Sequence, residues 1–104
     1  KYPMEYAPRK IHVPAEGRPM EPFAVKEYHL DTNNHVNNGQ YVRIAESFLP
    51  EGFSIHGMRA EYRRAAVLND FIYPVLLRQK QADHCCYILL ADTAGQPYAI
   101  INFY

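Results

Sequence analysis

His29-Leu30-Asp31-Thr32-Asn33-Asn34-His35-Val36-Asn37-Asn38-Gly39-Gln40-Tyr41 runs directly into the apolar segment Val42-Arg43-Ile44-Ala45-Glu46-Ser47-Phe48-Leu49, and the rest of the chain reads as sheet organised around it. Asp31, Asn33 and His35 occupy alternate positions, so an extended backbone would project all three side chains from one face. Asn37 and Asn38 offer side-chain oxygens to the free N–H groups of a starting helix, whose partial positive charge favours a nearby anion. From about Asn38 to Leu49, Tyr41, Ile44 or Ala45, and Phe48 recur at three- and four-residue spacing, with Arg43, Glu46 and Ser47 elsewhere. This predicts an amphipathic helix about 18 Å long, stopped by Pro50 and Gly52.

Outward from the helix, the pattern has period two. Lys1 to Pro8, with two prolines, reads as an extended segment or interdomain linker. Arg9 to Val13 reads as a short strand, Pro14 to Pro19 as a loop, and Pro22 to Leu30 as a strand that delivers the chain to Asp31. Ile55 to Ala66 reads as a long strand, and Asn69-Asp70 as the turn before Phe71 to Leu77. Pro74 lacks a ladder donor, which predicts a sheet edge or a bulge there. His84 to Ala91 and Pro97 to Tyr104 flank Asp92-Thr93-Ala94-Gly95-Gln96, a hairpin loop with glycine available for positive φ. One helix against a run of antiparallel strands is an α+β arrangement.

With 104 residues, 48% of them hydrophobic, the chain is long enough for one compact domain and too short for two. Eleven basic residues balance eleven acidic ones, so net charge draws the chain toward neither nucleic acid nor an anionic membrane. No apolar run reaches the roughly 20 residues that span a bilayer. Adjacent Cys85 and Cys86 fall on opposite faces of a strand, forming no disulfide framework or metal knuckle, and reducing cytoplasm fits that usage. The opening on Lys1 suggests a domain cut from something longer.

Asp31, Asn33 and His35 together can supply a base, its orienting partner and a water-holding amide, while the helix start supplies oxyanion donors. His12, His29, His56 and His84 lack ligand spacing, so no metal site and no cofactor is expected. Arg59, Arg63, Arg64, Arg78 and Lys80 form a candidate basic patch, against the simpler reading of a solvated strand face.

The run Asp31-Thr32-Asn33-Asn34-His35-Val36-Asn37-Asn38 followed by Tyr41 resembles the Asp-x-Asn-x-His-Val-Asn-Asn-x-x-Tyr signature of acyl-acyl-carrier-protein (acyl-ACP) thioesterases. Glu61-Tyr62-Arg63-Arg64 is similar to a second segment of that family. The resemblance implies a hot-dog fold, an antiparallel sheet wrapped around one central helix, over residues 9 to 104, with residues 1 to 8 as linker. It implies the C-terminal one of two hot-dog repeats, hydrolysing fatty acyl thioesters to free acids in fatty acid biosynthesis. Asp31, Asn33 and His35 would be catalytic, and Asn37, Asn38 and Tyr41 substrate-binding or site-shaping. The implied partners are an acyl carrier protein and a second repeat or a homodimer.

In plant members of the family the second segment continues with Glu-Cys, assigned to catalysis. Here those positions are Ala65 and Ala66, and a methyl group neither orients water nor accepts a proton. Glu61 shares that strand face but lies roughly 13 Å away along an extended chain. Two rivals follow: an acyl-CoA thioesterase of the 4-hydroxybenzoyl-CoA type, and a non-catalytic acyl-binding or dimerising hot-dog domain. Hydrolysis requires the His35 ring to face, with its acid and amide neighbours, a groove wide enough for a lipid thioester.

Overall fold

A computed structural model describes residues 4–6, 17–32, 34–78 and 85–104. Its elements are β1 (Met4–Tyr6), β2 (Gly17–Pro19), β3 (Phe23–Ala24), a 3-10 turn (Glu27–His29), α1 (Asn38–Glu46), β4 (Met58–Tyr62), β5 (Phe71–Arg78), β6 (Cys86–Ala91) and β7 (Pro97–Phe103). The sheet order is β1-β4-β7-β6-β5-β2, with β3 also on β5. Pairing is antiparallel throughout except between β1 and β4. The expected α+β hot-dog architecture is present, with one α-helix held by one sheet among the described residues.

Strand alternation decides what the helix meets. Ile72 and Leu76 of β5, Cys86, Ile88 and Leu90 of β6, and Ala99, Ile101 and Phe103 of β7 all join the core that includes Tyr41 and Ala45 of α1. The opposite face carries a second cluster of Leu77, Tyr87 and Ile100, so the central strands are apolar on both sides. Cys86 belongs to the first cluster and Cys85 packs on the second, the opposed placement that adjacency predicted.

Several elements depart from the pattern-based expectation. The strand expected over Pro22 to Leu30 is two residues long, because the main-chain N–H of Lys26 donates to Nδ1 of His29 (2.9 Å) and curls the chain into the 3-10 turn. Gly17–Pro19, expected as loop, pairs with Val75 to Leu77 of β5. The long strand expected from Ile55 is five residues, because one carbonyl takes two donors at each end. Tyr104 O accepts from His56 and Gly57, and Tyr98 O accepts from Arg63 and Arg64. Met4–Tyr6, within the stretch expected as linker or extended chain, is hydrogen-bonded into the sheet. The strand expected over Arg9 to Val13 lies outside the described residues.

Pro74 sits at neither an edge nor a bulge, since β5 lies between β6 and β2. Its carbonyl accepts from the Met20 N–H (2.8 Å), so its missing donor faces the same side, where the chain passes from β2 to β3 and the ladder is already broken. The β6–β7 hairpin matches its expectation, with Gly95 at φ 84 in the loop.

Ile88 is fully buried between α1 and the flanking strands. Ile88→Ala should lower unfolding free energy by about 2–5 kcal/mol in urea titration, against under about 1 kcal/mol for exposed Val67→Ala. Equal losses at the two positions would refute this placement of the core.

Candidate active site

The motif residues are folded back, not extended. Leu30 and Val36 form an antiparallel bridge, and the Asp31 N–H donates to the His35 carbonyl (2.9 Å). Between them the Asn34 N–H donates to the Asp31 carbonyl (3.0 Å) with Asn34 at φ 62, a tight turn. The expected projection of three side chains from one extended face is therefore replaced by a bend. Asp31 and His35 still meet, because Oδ1 of Asp31 accepts the main-chain N–H of His35 (3.3 Å). Asn33 lies outside the described residues.

The motif's other arm pairs with the chain that leaves β4. His35 bridges Val67, and the Val36 N–H donates to the Ala66 carbonyl (2.9 Å). Val36 is buried and anchors the motif in the core, whereas the His35 ring is exposed. Asn37 caps α1, its Oδ1 accepting the Gln40 N–H (3.0 Å) as the sequence predicts. Asn38 does not cap; it is the first helical residue, and its carbonyl accepts the Tyr62 hydroxyl (3.4 Å). By helix geometry the N–H groups of Asn38 and Gly39 have no intrahelical acceptor.

Tyr41 is 1% exposed. Its hydroxyl accepts the Ala66 N–H (2.8 Å) and donates to the Arg64 carbonyl (3.2 Å). Burial pushes the phenol above its ordinary range, so the proton that makes the second bond stays in place. Tyr41 thus shapes the site by tying α1 to residues 64–66. A recess of about 230 Å³ results, lined by Val36, Asn38, Tyr41, Tyr62 and Ala65 among others. His35 does not line it, so this recess is not the groove that hydrolysis requires the His35 ring to face. Of the two alanines at the positions where the resemblance implies Glu-Cys, Ala65 is at this recess and exposed, while Ala66 is fully buried with both main-chain groups bonded.

Two members of the candidate basic patch are ion-paired. Arg63 pairs with Glu61, and Arg64 with Asp92 (2.7 Å), the Gln96 carbonyl (3.0 Å) and the Tyr98 ring. Arg59 donates to Asn102 Oδ1 (3.1 Å), and Lys80 lies outside the described residues. Among the described residues no three His, Cys, Asp or Glu side chains converge on a metal position. His12 and His84 lie outside the described residues, and His56 is exposed.

The family model that matches this chain is the acyl-ACP thioesterase C-terminal domain, over residues 13–102. The chain belongs to that family. Solved structures share its fold at low identity. An acyl-ACP thioesterase from Bacteroides thetaiotaomicron superposes with TM-score 0.79 at 15% identity, covering 93% of this chain and 40% of that one. The 12:0-ACP thioesterase from Umbellularia californica gives 0.73 at 19%, covering 91% and 37%. The probable thioesterase YbaW from Escherichia coli gives 0.67 at 21%, covering 83% and 78%. The chain thus spans about 40% of the length of the first of these. Among curated proteins no relative matches.

Sequence reasoning read Asn37 as the helix cap but missed the two hydrogen bonds of the Tyr41 hydroxyl. A buried tyrosine at a helix start is the available signal, because its polar tip must find partners. It also missed His29, whose ring is buried and accepts Lys26 N–H.

Two predictions follow from these contacts. Tyr41→Phe leaves the buried Ala66 N–H without an acceptor and should cost about 1–3 kcal/mol in urea unfolding; a loss below about 0.3 kcal/mol would contradict the bridge. Burial, then Lys26, holds the His29 imidazole below its ordinary value of about 6.5. The folded state thus favours the neutral ring, and its contribution to stability is full above about pH 6.5 and lost as pH falls toward the folded value. The thermal midpoint should drop on acidification through that window and drop less in His29→Asn, whose Oδ1 can take the same N–H without titrating. An identical slope in the variant would refute the assignment.

Proposed function

We propose that this chain is the C-terminal hot-dog repeat, residues 9–104, of an acyl-ACP thioesterase that releases free fatty acids in cytoplasmic fatty acid biosynthesis. The observation that carries this reading is the packing of the family motif against the chain leaving β4, which brings His35, the start of α1 and Ala65 to one end of the helix. His35 takes a proton from water, which attacks the thioester carbonyl. The oxyanion forms near the N–H groups that open α1, the C–S bond breaks, and the thiolate takes a proton on leaving. Asp31 holds the His35 main chain, and Asn33 is proposed to hold the water or the substrate carbonyl. Because the His35 ring is exposed on this chain, the reading places the thioester between this repeat and a second one, or a second copy. Among the described residues no helix is long and apolar enough to cross a membrane.

Ala65 at the recess favours one competing reading, an acyl-binding hot-dog domain without turnover. Hydrolysis of acyl-ACP by the full-length protein separates the two. His35→Ala should reduce kcat by about 10²–10⁴-fold, the range for losing a general base. Ala65→Glu, which restores a carboxylate at the recess, should raise it. Rates unchanged by His35→Ala would remove the catalytic assignment and leave acyl binding.

A further inference from the structure

A second recess, of about 450 Å³, opens between the 3-10 turn and the outer side of α1, lined by Tyr28, His29, Gln40, Arg43 and Ile44. It shares no lining residue with the recess at Ala65. Its volume falls within the roughly 300–1,000 Å³ of small-molecule sites. It adjoins the motif on both sides, since His29 lies just before Leu30-Asp31 and Gln40 just before Tyr41.

The polar groups here are nearly all donors. Arg43 carries five N–H groups and Gln40 two, and no carboxylate lines the recess. Nδ1 of His29 is occupied as an acceptor of the Lys26 N–H, so the neutral ring carries its proton on Nε2 and is a third donor. Arg63 and Arg64 are spent on Glu61 and Asp92, whereas Arg43 makes no ion pair with a described residue. The remaining wall is Ile44 and the Tyr28 side chain, which is 76% exposed. A guanidinium beside neutral donors and an apolar wall suits an oxyanion carried on a less polar body.

Resting on the thioesterase reading, we infer that this recess is an oxyanion subsite for the substrate or product, holding either a phosphate of the thioester's carrier or the carboxylate of the released acid. Arg43 is the principal ligand, Gln40 and His29 complete the donor set, and Tyr28 with Ile44 covers the adjoining carbon chain.

The test is calorimetric binding of two probes, coenzyme A for phosphate and decanoate for carboxylate, to the full-length protein and its variants. Arg43 is exposed on α1 and glutamine is a good helix former, so Arg43→Gln keeps the fold. It should weaken at least one probe by about tenfold, the loss expected for one charge-assisted contact. Arg43→Lys should recover part of that loss, and Arg18→Gln, which removes the same charge on β2, should change nothing. Loss confined to coenzyme A assigns the phosphate, loss confined to decanoate assigns the carboxylate, and loss of both assigns a general oxyanion site. The inference is overturned if neither probe binds, if Arg43→Gln binds as the parent does, or if Arg18→Gln loses as much. None of these readouts needs turnover, so absence of hydrolysis would remove the thioesterase reading and leave the binding result standing.

Discussion

The site depends on one buried hydroxyl. A phenol with 1% exposure is costly unless both its donor and its acceptor capacity are used, and Tyr41 uses both on the chain that leaves β4. The Val36 N–H grips the Ala66 carbonyl from the other side, so residues 64–67 are held between the helix and the motif. Those bonds put Ala65 at the recess and Ala66 inside the core. In this chain a phenylalanine at position 41 would fill the same volume and leave the Ala66 N–H and the Arg64 carbonyl without the hydroxyl.

The helix, the β6–β7 hairpin and the apolar faces of the central strands were legible in the sequence because each rests on local periodicity or turn chemistry. Asn37 could be read as a cap for the same reason. What could not be read was decided by particular contacts and backbone turns that alternation does not report. The segment from Pro22 to Leu30 alternates like a strand, yet the Lys26 N–H finds the His29 ring three residues on and the chain coils. Gly17–Pro19 has the composition of a loop, yet β5 offers it a ladder. Pro74 looked like an edge marker because a single chain shows which donor is missing, not which side of the strand that donor would face. In the motif, alternate spacing suggested a shared face, while the left-handed Asn34 turns the chain back before the histidine is reached.

Charge has a parallel division. The arginines that cluster in sequence after β4 are consumed in bracing the end of the sheet, Arg63 through Glu61 and Arg64 through Asp92 and the Tyr98 ring. Exposed pairs of this kind add little stability, on the order of 0–1 kcal/mol, but they fix where the strand exits. Arg43, isolated in sequence, makes no ion pair with a described residue. Proximity in the primary structure was thus a poor guide to available charge.

Asn34 carries a consequence for how this motif diversifies. At φ 62 the residue occupies territory that asparagine, aspartate and glycine enter cheaply and β-branched side chains scarcely at all. Drift there is filtered by backbone sterics before any chemistry is consulted. The eight-letter run therefore mixes unlike duties: Asn34 bends the chain, Val36 anchors it and Asn37 caps the helix. Transplanting Asp31 and His35 alone onto another scaffold would leave behind the Asn34 bend that brings them together.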